Sequence, residues 1–373
     1  MKNSNNSRNS GIDFLRILSA FFIIMLHIMC HGGIRDALHP GDINFYVFWF
    51  VMMVSFCGVN CFALISGYVG YHETEKPHKS ARFIDLWFEV VFYCIITVAI
   101  FKILKMPDIG IRDFVEAFFP ITFERYWFFS GYLGVFVFMP LLNKCIREFS
   151  SAWLATMTVV GVGAFSFFAT IFTRYSDPFL LNGGYGMVWL IFLYFIGAVV
   201  KKYRIADKVT TKTLALIIAA CGVITWAWKV FLISTVGHGV DDLLVIYISP
   251  TILLMSVCQL LLFSKLKFNS FMTKLIAIMA PTVFGIYLFQ DSDYFRAYIV
   301  SGSYAGYARK TPLMMVGLIL LTSLIQFLMG FVIDKCRAVL FNAIKIKNLS
   351  NRIGDVFDDG VNRTIKFVEE RLN

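Results

Sequence analysis

Charged residues are scarce in this chain of 373 residues, since Asp, Glu, Lys and Arg make up only 16% of it. Hydrophobic residues make up 58%, and the mean hydropathy is +0.71. Soluble domains have about a quarter charged and half apolar residues, so this composition excludes an ordinary water-soluble fold. Forty Phe and seven Trp would make a water-facing surface adhesive, whereas lipid is a solvent that suits them.

The eight cysteines include no C-x-x-C pair, and most of them lie inside apolar runs. That distribution is typical of small buried hydrophobic residues and excludes the pattern of a disulfide framework. Cys57 and Cys61 lie one helical turn apart, but no histidine accompanies them at the spacing of a zinc site. We therefore expect no bound metal.

The net charge of +10 would suit nucleic acid, but the positions of the charges argue against such a partner. Lys and Arg fall in short polar breaks between apolar runs of about 20 residues, each long enough to span a bilayer. The polar start of the chain, residues 1–10, has no short apolar region followed by a small-residue cleavage site, so the first run is expected to be a membrane anchor. The predicted spans are 12–32, 44–71, 83–104, 126–143, 153–173, 185–200, 213–234, 244–264, 272–290 and 312–334.

Most of the 34 Lys and Arg fall on one side of these spans if the N-terminus is cytoplasmic. The positive-inside rule therefore predicts an all-α polytopic membrane protein of about ten transmembrane helices with both termini in the cytoplasm. Its parts would be an N-tail (1–11), a membrane domain (12–335) and a basic amphipathic tail (336–373) able to touch anionic lipid. An amphipathic stretch within 105–125 is expected to lie in the outer membrane interface or to dip back into the membrane.

The first predicted span carries two polar residues that are costly in lipid, Arg16 and His27. Their separation of eleven residues is three helical turns and about 20°, so both point from one face, roughly 16 Å apart along the axis. Such groups are expected to face the bundle interior or a watery cavity, which makes both candidates for a functional site. The sequence is equally compatible with an Arg16 that extends to lipid headgroups and a His27 that is a hydrogen-bonded core residue.

Several stretches resemble, in order and spacing, the membrane-bound acyltransferase-3 family, whose members O-acylate sugars and other acceptors. The resemblance runs from about residue 11 to about residue 335. It begins with Arg16 and His27 separated by ten residues in the first span. The other stretches are 62–68 (FALISGY), 126–143 (YWFFSGYL to PLLN), 185–198 (YGMVW to YFIGA) and 284–291 (FGIYLFQD).

This resemblance implies a polysaccharide O-acetyltransferase-like enzyme of the bacterial cytoplasmic membrane, with residues 12–335 as its acyltransferase domain. Acetyl-CoA or another acyl-CoA would be the cytoplasmic co-substrate, and a glycan or lipid-linked glycan the acceptor, with membrane lipid around it. No permanently bound cofactor is expected. Planar guanidinium groups bind phosphate well, so Arg16 and Arg82, with Lys79 as auxiliary, are the candidates for binding coenzyme A.

His27 would be the general base for the acceptor hydroxyl, or would carry the acyl group itself, and Arg16 would share in the catalytic site. The family's late motif usually carries His where this chain has Gln290. Because Gln cannot take up a proton, Gln290 is expected to position the acceptor or the base. The candidates for contact with the acceptor and the oxyanion are Ser66, Tyr68, Trp127, Tyr132, Trp189, Tyr287, Gln290 and Asp291.

A transporter or flippase of a polar or glycolipid substrate is the competing class, because ten spans with an intramembrane Arg and His would serve it too. His31, one turn beyond His27, is expected at the outer water interface rather than in the site. Lys229 is expected to extend to the lipid headgroups. The acceptor, the acyl length, the side of transfer and the oligomeric state are left open.

Overall fold

The computed structural model describes residues 9–75, 77–107, 109–235 and 241–372. These residues are predominantly helical and contain no β-strand. The principal helices are α1 Ser10–Cys30, α2 Ile43–Gly70, α3 Ala81–Ile103, α4 Ile111–Phe118, α5 Trp127–Glu148, α6 Ser151–Phe172, α7 Met187–Lys202, α8 Thr211–Thr235, α9 Pro250–Ser264, α10 Ser270–Gln290, α11 Pro312–Ala343 and α12 Ile346–Leu372. Of the predicted N-tail, residues 1–8 lie outside this description.

Eight helices within the described ranges are long and apolar enough to cross a membrane, namely α1, α2, α3, α5, α6, α8, α10 and α11. The prediction of an all-α polytopic membrane protein is therefore confirmed. The other two predicted spans correspond to α7 and α9, which have 16 and 15 residues. At 1.5 Å per residue they cover about 22–24 Å, less than the roughly 30 Å of hydrocarbon. The number of ten crossings and the side of the termini stay predictions.

Contacts at the helix ends give the bundle two faces. At one face the side chain of Asn9, before α1, donates to the carbonyl of Ser264 at the end of α9 (3.0 Å). At the other, the backbone amide of Gly302 donates to the carbonyl of His31, just after α1 (3.0 Å). The face where α1 begins is called the inner face below, and the opposite one the outer face.

The helix α2 lies at the centre of the bundle, packed against α1, α7 and α9. Its closest neighbour is α7, because glycines bring the two backbones into contact. A Cβ on Gly67 would lie 1.9 Å from the carbonyl oxygen of Tyr194, and one on Gly197 would lie 2.1 Å from that of Leu64. Small residues at helix interfaces drive association in membranes, where apolar burial alone does not.

The short helices α7 and α9 leave non-helical backbone inside the bundle at their outer ends. Such backbone must be hydrogen-bonded to protein where water is excluded. The buried side chain of Asn60 on α2 does this, because its amide nitrogen donates to the carbonyl of Tyr247 (2.8 Å). Its amide oxygen accepts from the indole nitrogen of Trp189 (3.1 Å). The amide of Tyr247 donates to the carbonyl of Gly183 (3.1 Å), which joins the two segments.

Two segments outside the spans are amphipathic helices, as their sequences predict. The outer helix α4 exposes Ile111, Val115 and Phe118. At the inner face α12 crosses the start of α3, where the side chain of Ser80 donates to Asp358 and a Cβ on Gly354 would lie 2.6 Å from the backbone nitrogen of Ala81. The contact of α12 with anionic lipid stays a prediction.

The expectation that Lys229 extends to the headgroups is wrong. Its side chain is buried, and its ammonium group pairs with Asp241 and Asp242 and lies 4.1 Å from the centre of the Trp49 ring. Both carboxylates lie in the described segment that precedes α9. A buried charge that is paired costs less than the same charge buried without a partner.

Replacing Gly67 with Ala should lower the apparent melting temperature of the purified protein in detergent. The new methyl group meets a backbone oxygen that cannot move without shifting α7. We therefore expect the free energy of unfolding to fall by about 1–3 kcal/mol. Gly317→Ala is the matched control, because no atom lies within 4 Å of a Cβ built at that helical glycine. A Gly67→Ala variant that melts at or above the Gly317→Ala variant would contradict this account of the α2–α7 contact.

Candidate active site

A cavity of about 380 Å³ lies between the outer halves of α1, α2, α5 and α10. The non-helical segments before α7 and α9 form one of its walls through Tyr185 and Tyr247, so the shortness of those helices creates part of this space. His31 and Arg35, which follow α1, line it where it opens toward the outer face. His27 lies deeper on the same side, one helical turn below His31.

The imidazole of His27 is held by the end of α10. Its Nδ1 lies 2.7 Å from the side-chain oxygen Oε1 of Gln290. An amide oxygen only accepts hydrogen bonds, so Nδ1 carries the hydrogen and donates it. In the neutral imidazole this hydrogen bond leaves the lone pair on the other ring nitrogen, Nε2, which is the requirement for a general base.

A carboxylate stands beside the same ring nitrogen. The Oδ1 atom of Asp291 lies 3.7 Å from Nδ1 of His27 and accepts a hydrogen bond from Nη1 of Arg296 (3.0 Å). Burial raises the pKa of the Asp291 carboxyl above its ordinary value, and His27 and Arg296 oppose that rise. A carboxylate beside a histidine stabilises the imidazolium that forms when the base takes a proton.

Tyr287, one turn before Asp291, contributes a hydroxyl that faces the Asp291 carboxyl group without a well-aligned hydrogen bond to it. The hydroxyl is buried and its ring lines the cavity, so it is placed to donate a hydrogen bond to a ligand there. Aromatic rings form the adjoining wall, where the ring centres of Trp127 and Tyr185 lie 4.6 Å apart and those of Tyr185 and Tyr247 lie 5.1 Å apart. Such a wall can pack against the apolar faces of a sugar ring.

A second group of predicted residues lies toward the inner face. Tyr132 interacts with the hydroxyl of Ser66, and the charges of Arg16 and Arg82 act on it. Ser66 and Tyr132 lie one helical turn below Phe62 and Phe128, two rings that line the cavity. The contact between Ser66 and Tyr132, called the inner seam below, thus lies between the arginines and the aromatic floor of the cavity.

Arg82 also lines a smaller cavity of about 140 Å³ at the inner face. Arg147, which ends α5, lies on the other side of this space, and His72 and His78 lie in the loop above it. Two guanidinium groups around one small polar space suit phosphate oxygens, although Oε1 of Glu75, which also lines it, lies 3.9 Å from Nη2 of Arg147.

A family model described as an acyltransferase domain, of the acyltransferase-3 type, matches residues 9–332. The match covers most of the chain and every helix from α1 through most of α11. This chain belongs to the acyltransferase-3 family. The resemblance seen in the sequence is therefore confirmed, and the protein is a multi-pass membrane acyltransferase. Neither curated proteins nor solved structures give a match.

The acyltransferase brings only part of the predicted site together. Around the outer cavity it gathers His27, Trp127, Tyr287, Gln290 and Asp291. Among the other predicted residues, Trp189 is fully buried against Asn60, and Lys79 lies exposed in the loop before α3. Tyr68 lies at the inner face, its ring 5.7 Å from the ammonium group of Lys201, beside a separate polar opening. The roles of all these residues stay predictions.

Sequence reasoning missed four residues that the acyltransferase places at these cavities. Tyr185 and Tyr247 are lining residues because two loops fold inward, and Arg147 because α5 ends beside α3. Arg296 could have been found from the sequence, since a basic residue five positions after an intramembrane Asp suggests an ion pair between the two. None of the described clusters of His, Cys, Asp and Glu has the geometry of a metal site.

The expectation for His31 is wrong in one respect. It is partly exposed, as expected, but its ring also lines the cavity, with its centre 5.4 Å from that of His27. Burial lowers the pKa of His31 to about 4, helped by His27 when that ring is protonated and by the positive charges of Arg296 and Arg35.

His31 should consequently remain reactive toward diethyl pyrocarbonate, which modifies neutral imidazole, down to about pH 5. A histidine in an unstructured peptide, with a pKa of about 6.5, loses nearly all of its reactivity at that pH and serves as the internal reference. Mass spectrometry of the modified protein measures both. A decline of His31 modification with a midpoint near pH 6.5 would show that its surroundings are not those described.

Proposed function

We propose that this acyltransferase moves an acyl group, most simply acetyl, from cytoplasmic acyl-CoA to a hydroxyl of a cell-surface glycan or its lipid-linked precursor. The proposal places it in the cytoplasmic membrane of a bacterium, with the inner face toward the cytoplasm. The observation that supports it is the placement of His27. Its Nδ1 is hydrogen-bonded to Gln290, and its ring lines a cavity with an aromatic wall.

In the proposed reaction the acceptor hydroxyl gives its proton to Nε2 of His27 as its oxygen attacks the thioester carbonyl carbon. The Nδ1–H remains bonded to Gln290, and the charge of Asp291 stabilises the imidazolium. The carbon–sulfur bond then breaks, and the leaving thiolate of coenzyme A takes the proton from Nε2. This sequence returns the neutral base and needs no further reactant.

The hydroxyl of Tyr287 is the proposed donor to the oxyanion of the tetrahedral intermediate. It is buried, lies on the cavity wall one turn before Asp291, and faces that carboxyl group without a well-aligned hydrogen bond to it. Donors fixed before the reaction stabilise the developing negative charge without reorganising. Among the predicted oxyanion donors Trp127 also lines this cavity, whereas Tyr132 and Tyr68 lie toward the inner face.

Acyl-CoA is proposed to bind from the inner face. Its phosphates would contact Arg82 and Arg147 in the small inner cavity, with Arg16 and Lys79 nearby. The pantetheine arm would pass the inner seam of Ser66 and Tyr132. The aromatic floor formed by Phe62 and Phe128, whose ring centres lie 6.1 Å apart, must open to admit the thioester.

A glycan acceptor is proposed because the cavity combines an aromatic wall with a few convergent polar groups. Trp127, Tyr185 and Tyr247 supply the wall, while His27 and Tyr287 supply the polar atoms. This combination is common in small-molecule sites, where apolar surfaces hold the ligand and polar groups orient it. A lipid-linked acceptor would approach from the outer leaflet.

Inside-out membrane vesicles supplied with radiolabelled acetyl-CoA and a suitable acceptor test the proposal. We expect base-labile label in glycan or lipid-linked glycan. Arg82→Gln should raise KM for acetyl-CoA about tenfold or more with little change in kcat, because a charge-assisted contact to phosphate contributes about 1.5–3 kcal/mol. Arg352→Gln, an exposed arginine on α12, is the control and should leave KM unchanged.

Absence of label in every acceptor fraction, with folded protein present, would contradict the proposed reaction and favour transport of a polar or glycolipid substrate. Label transfer with an unchanged KM in Arg82→Gln would instead retain the reaction and reject the inner cavity as the donor site.

A further inference from the structure

A line of alternating acidic and basic side chains leads from His27 to the outer helix α4. Arg296 donates to Asp291 through Nη1 (3.0 Å) and to Asp293 through Nη2 (2.9 Å). The other oxygen of Asp293 accepts from Nη1 of Arg125 (3.0 Å), and Nη2 of Arg125 donates to Glu116 on α4. Each side chain in this line is thus hydrogen-bonded to the next one.

Local structure at the end of α10 aligns this line. The helix ends at Gln290, and the backbone amide of Asp291 still donates to the carbonyl of Tyr287 (2.9 Å). Ser292 caps the short turn that follows, and a π-helical turn begins at Arg296. A carboxylate at a helix C-terminus meets the negative end of the helix dipole, so Asp291 needs a cation to remain charged there.

The exposed fractions of these side chains indicate which contact affects the carboxylate beside His27. The Asp291 side chain is 4% exposed, whereas those of Arg296 and Asp293 are 34% and 37% exposed. Water therefore screens the outer part of the line, while the carboxylate beside His27 depends on protein partners. Arg296 is the cation that contacts it directly.

We propose that Arg296 is a positioning residue for the His27–Asp291 pair, and that Asp293 and Arg125 hold Arg296 in place. This inference rests on the proposed function, in which His27 is the base. Arg296 keeps the Asp291 carboxylate ionised and aimed at Nδ1 of His27. It spans Asp291 and Asp293 with two different nitrogens, a geometry that a planar guanidinium provides and an ammonium group does not.

Other groups around Asp291 also affect its protonation, and they come from several elements. Burial raises the pKa of Asp291, and removal of Arg296 would raise it further. The groups that face it are His27 and, beyond it, His31 on α1, Tyr287 on α10, Asp293 and Arg296 on its own turn, Tyr126 before α5, and Tyr185 and Tyr247 on the cavity wall.

Arg296→Gln should lower kcat roughly 10- to 100-fold at neutral pH, because a protonated Asp291 no longer stabilises the imidazolium. KM for acetyl-CoA should stay unchanged, since the donor site lies at the other face. The acidic limb of the pH–kcat profile should move to higher pH, so that activity partly recovers at alkaline pH. Arg296→Lys keeps the positive charge. It should therefore lower kcat less than Arg296→Gln does and move the acidic limb of the pH–kcat profile by a smaller amount.

The measurement is the pH dependence of kcat for the purified full-length enzyme in lipid nanodiscs, with Arg309→Gln as control. Arg309 is an exposed arginine on the outer segment before α11. A loss in Arg296→Gln that is equal at every pH, or a kcat within twofold of wild type, would overturn the positioning role while leaving the acyl-transfer proposal intact. A wild-type protein that transfers no acyl group would overturn both.

Discussion

The 2.7 Å hydrogen bond between Nδ1 of His27 and Oε1 of Gln290 is the contact on which the proposed chemistry depends. It determines the tautomer of a histidine deep within an apolar bundle, and so determines which nitrogen can act as a base. A histidine at this position of α10 could either donate to or accept from His27. Gln290 faces His27 with its amide oxygen and cannot take up a proton, so the proposed proton chemistry falls to His27 alone.

The space in which this histidine works follows from a second constraint, the need to satisfy backbone groups inside a membrane. Because α7 and α9 are short, the segments before them bring into the bundle peptide groups that have no hydrogen bonds within a helix. Asn60 accepts from Trp189 and donates to the backbone of Tyr247, and thereby makes this non-helical wall possible. Tyr185 and Tyr247 then face the cavity as parts of that wall.

Much of the fold could be predicted from the sequence, because bilayer thickness and helix period constrain apolar runs directly. The common face of Arg16 and His27 likewise follows from their spacing on one helix. The neighbours of Asp291 could not be predicted in the same way, since Arg296 reaches it only through the turn after α10. Nor could the role of Asn60, whose two partners lie on segments far away in the chain.

The division of the predicted site into two groups has a physical reason as well. Motif residues on one helix, such as Ser66 and Phe62, differ by one turn in depth, and a turn separates the outer cavity from the inner seam. Trp189 belongs to the same kind of motif but faces α2, where it binds Asn60. Motifs identify the helices that form the site, while the direction of each side chain depends on how those helices pack.

The most direct test of the central claim compares kcat for acetyl transfer in His27→Ala and His31→Ala, two histidines of one cavity. The account predicts that His27→Ala loses about 100- to 10,000-fold, the usual contribution of a general base, and that His31→Ala loses far less. Both purified variants should retain the wild-type melting temperature to within a few degrees. If His27→Ala kept the wild-type kcat, or if His31→Ala showed the larger loss, His27 would not be the base.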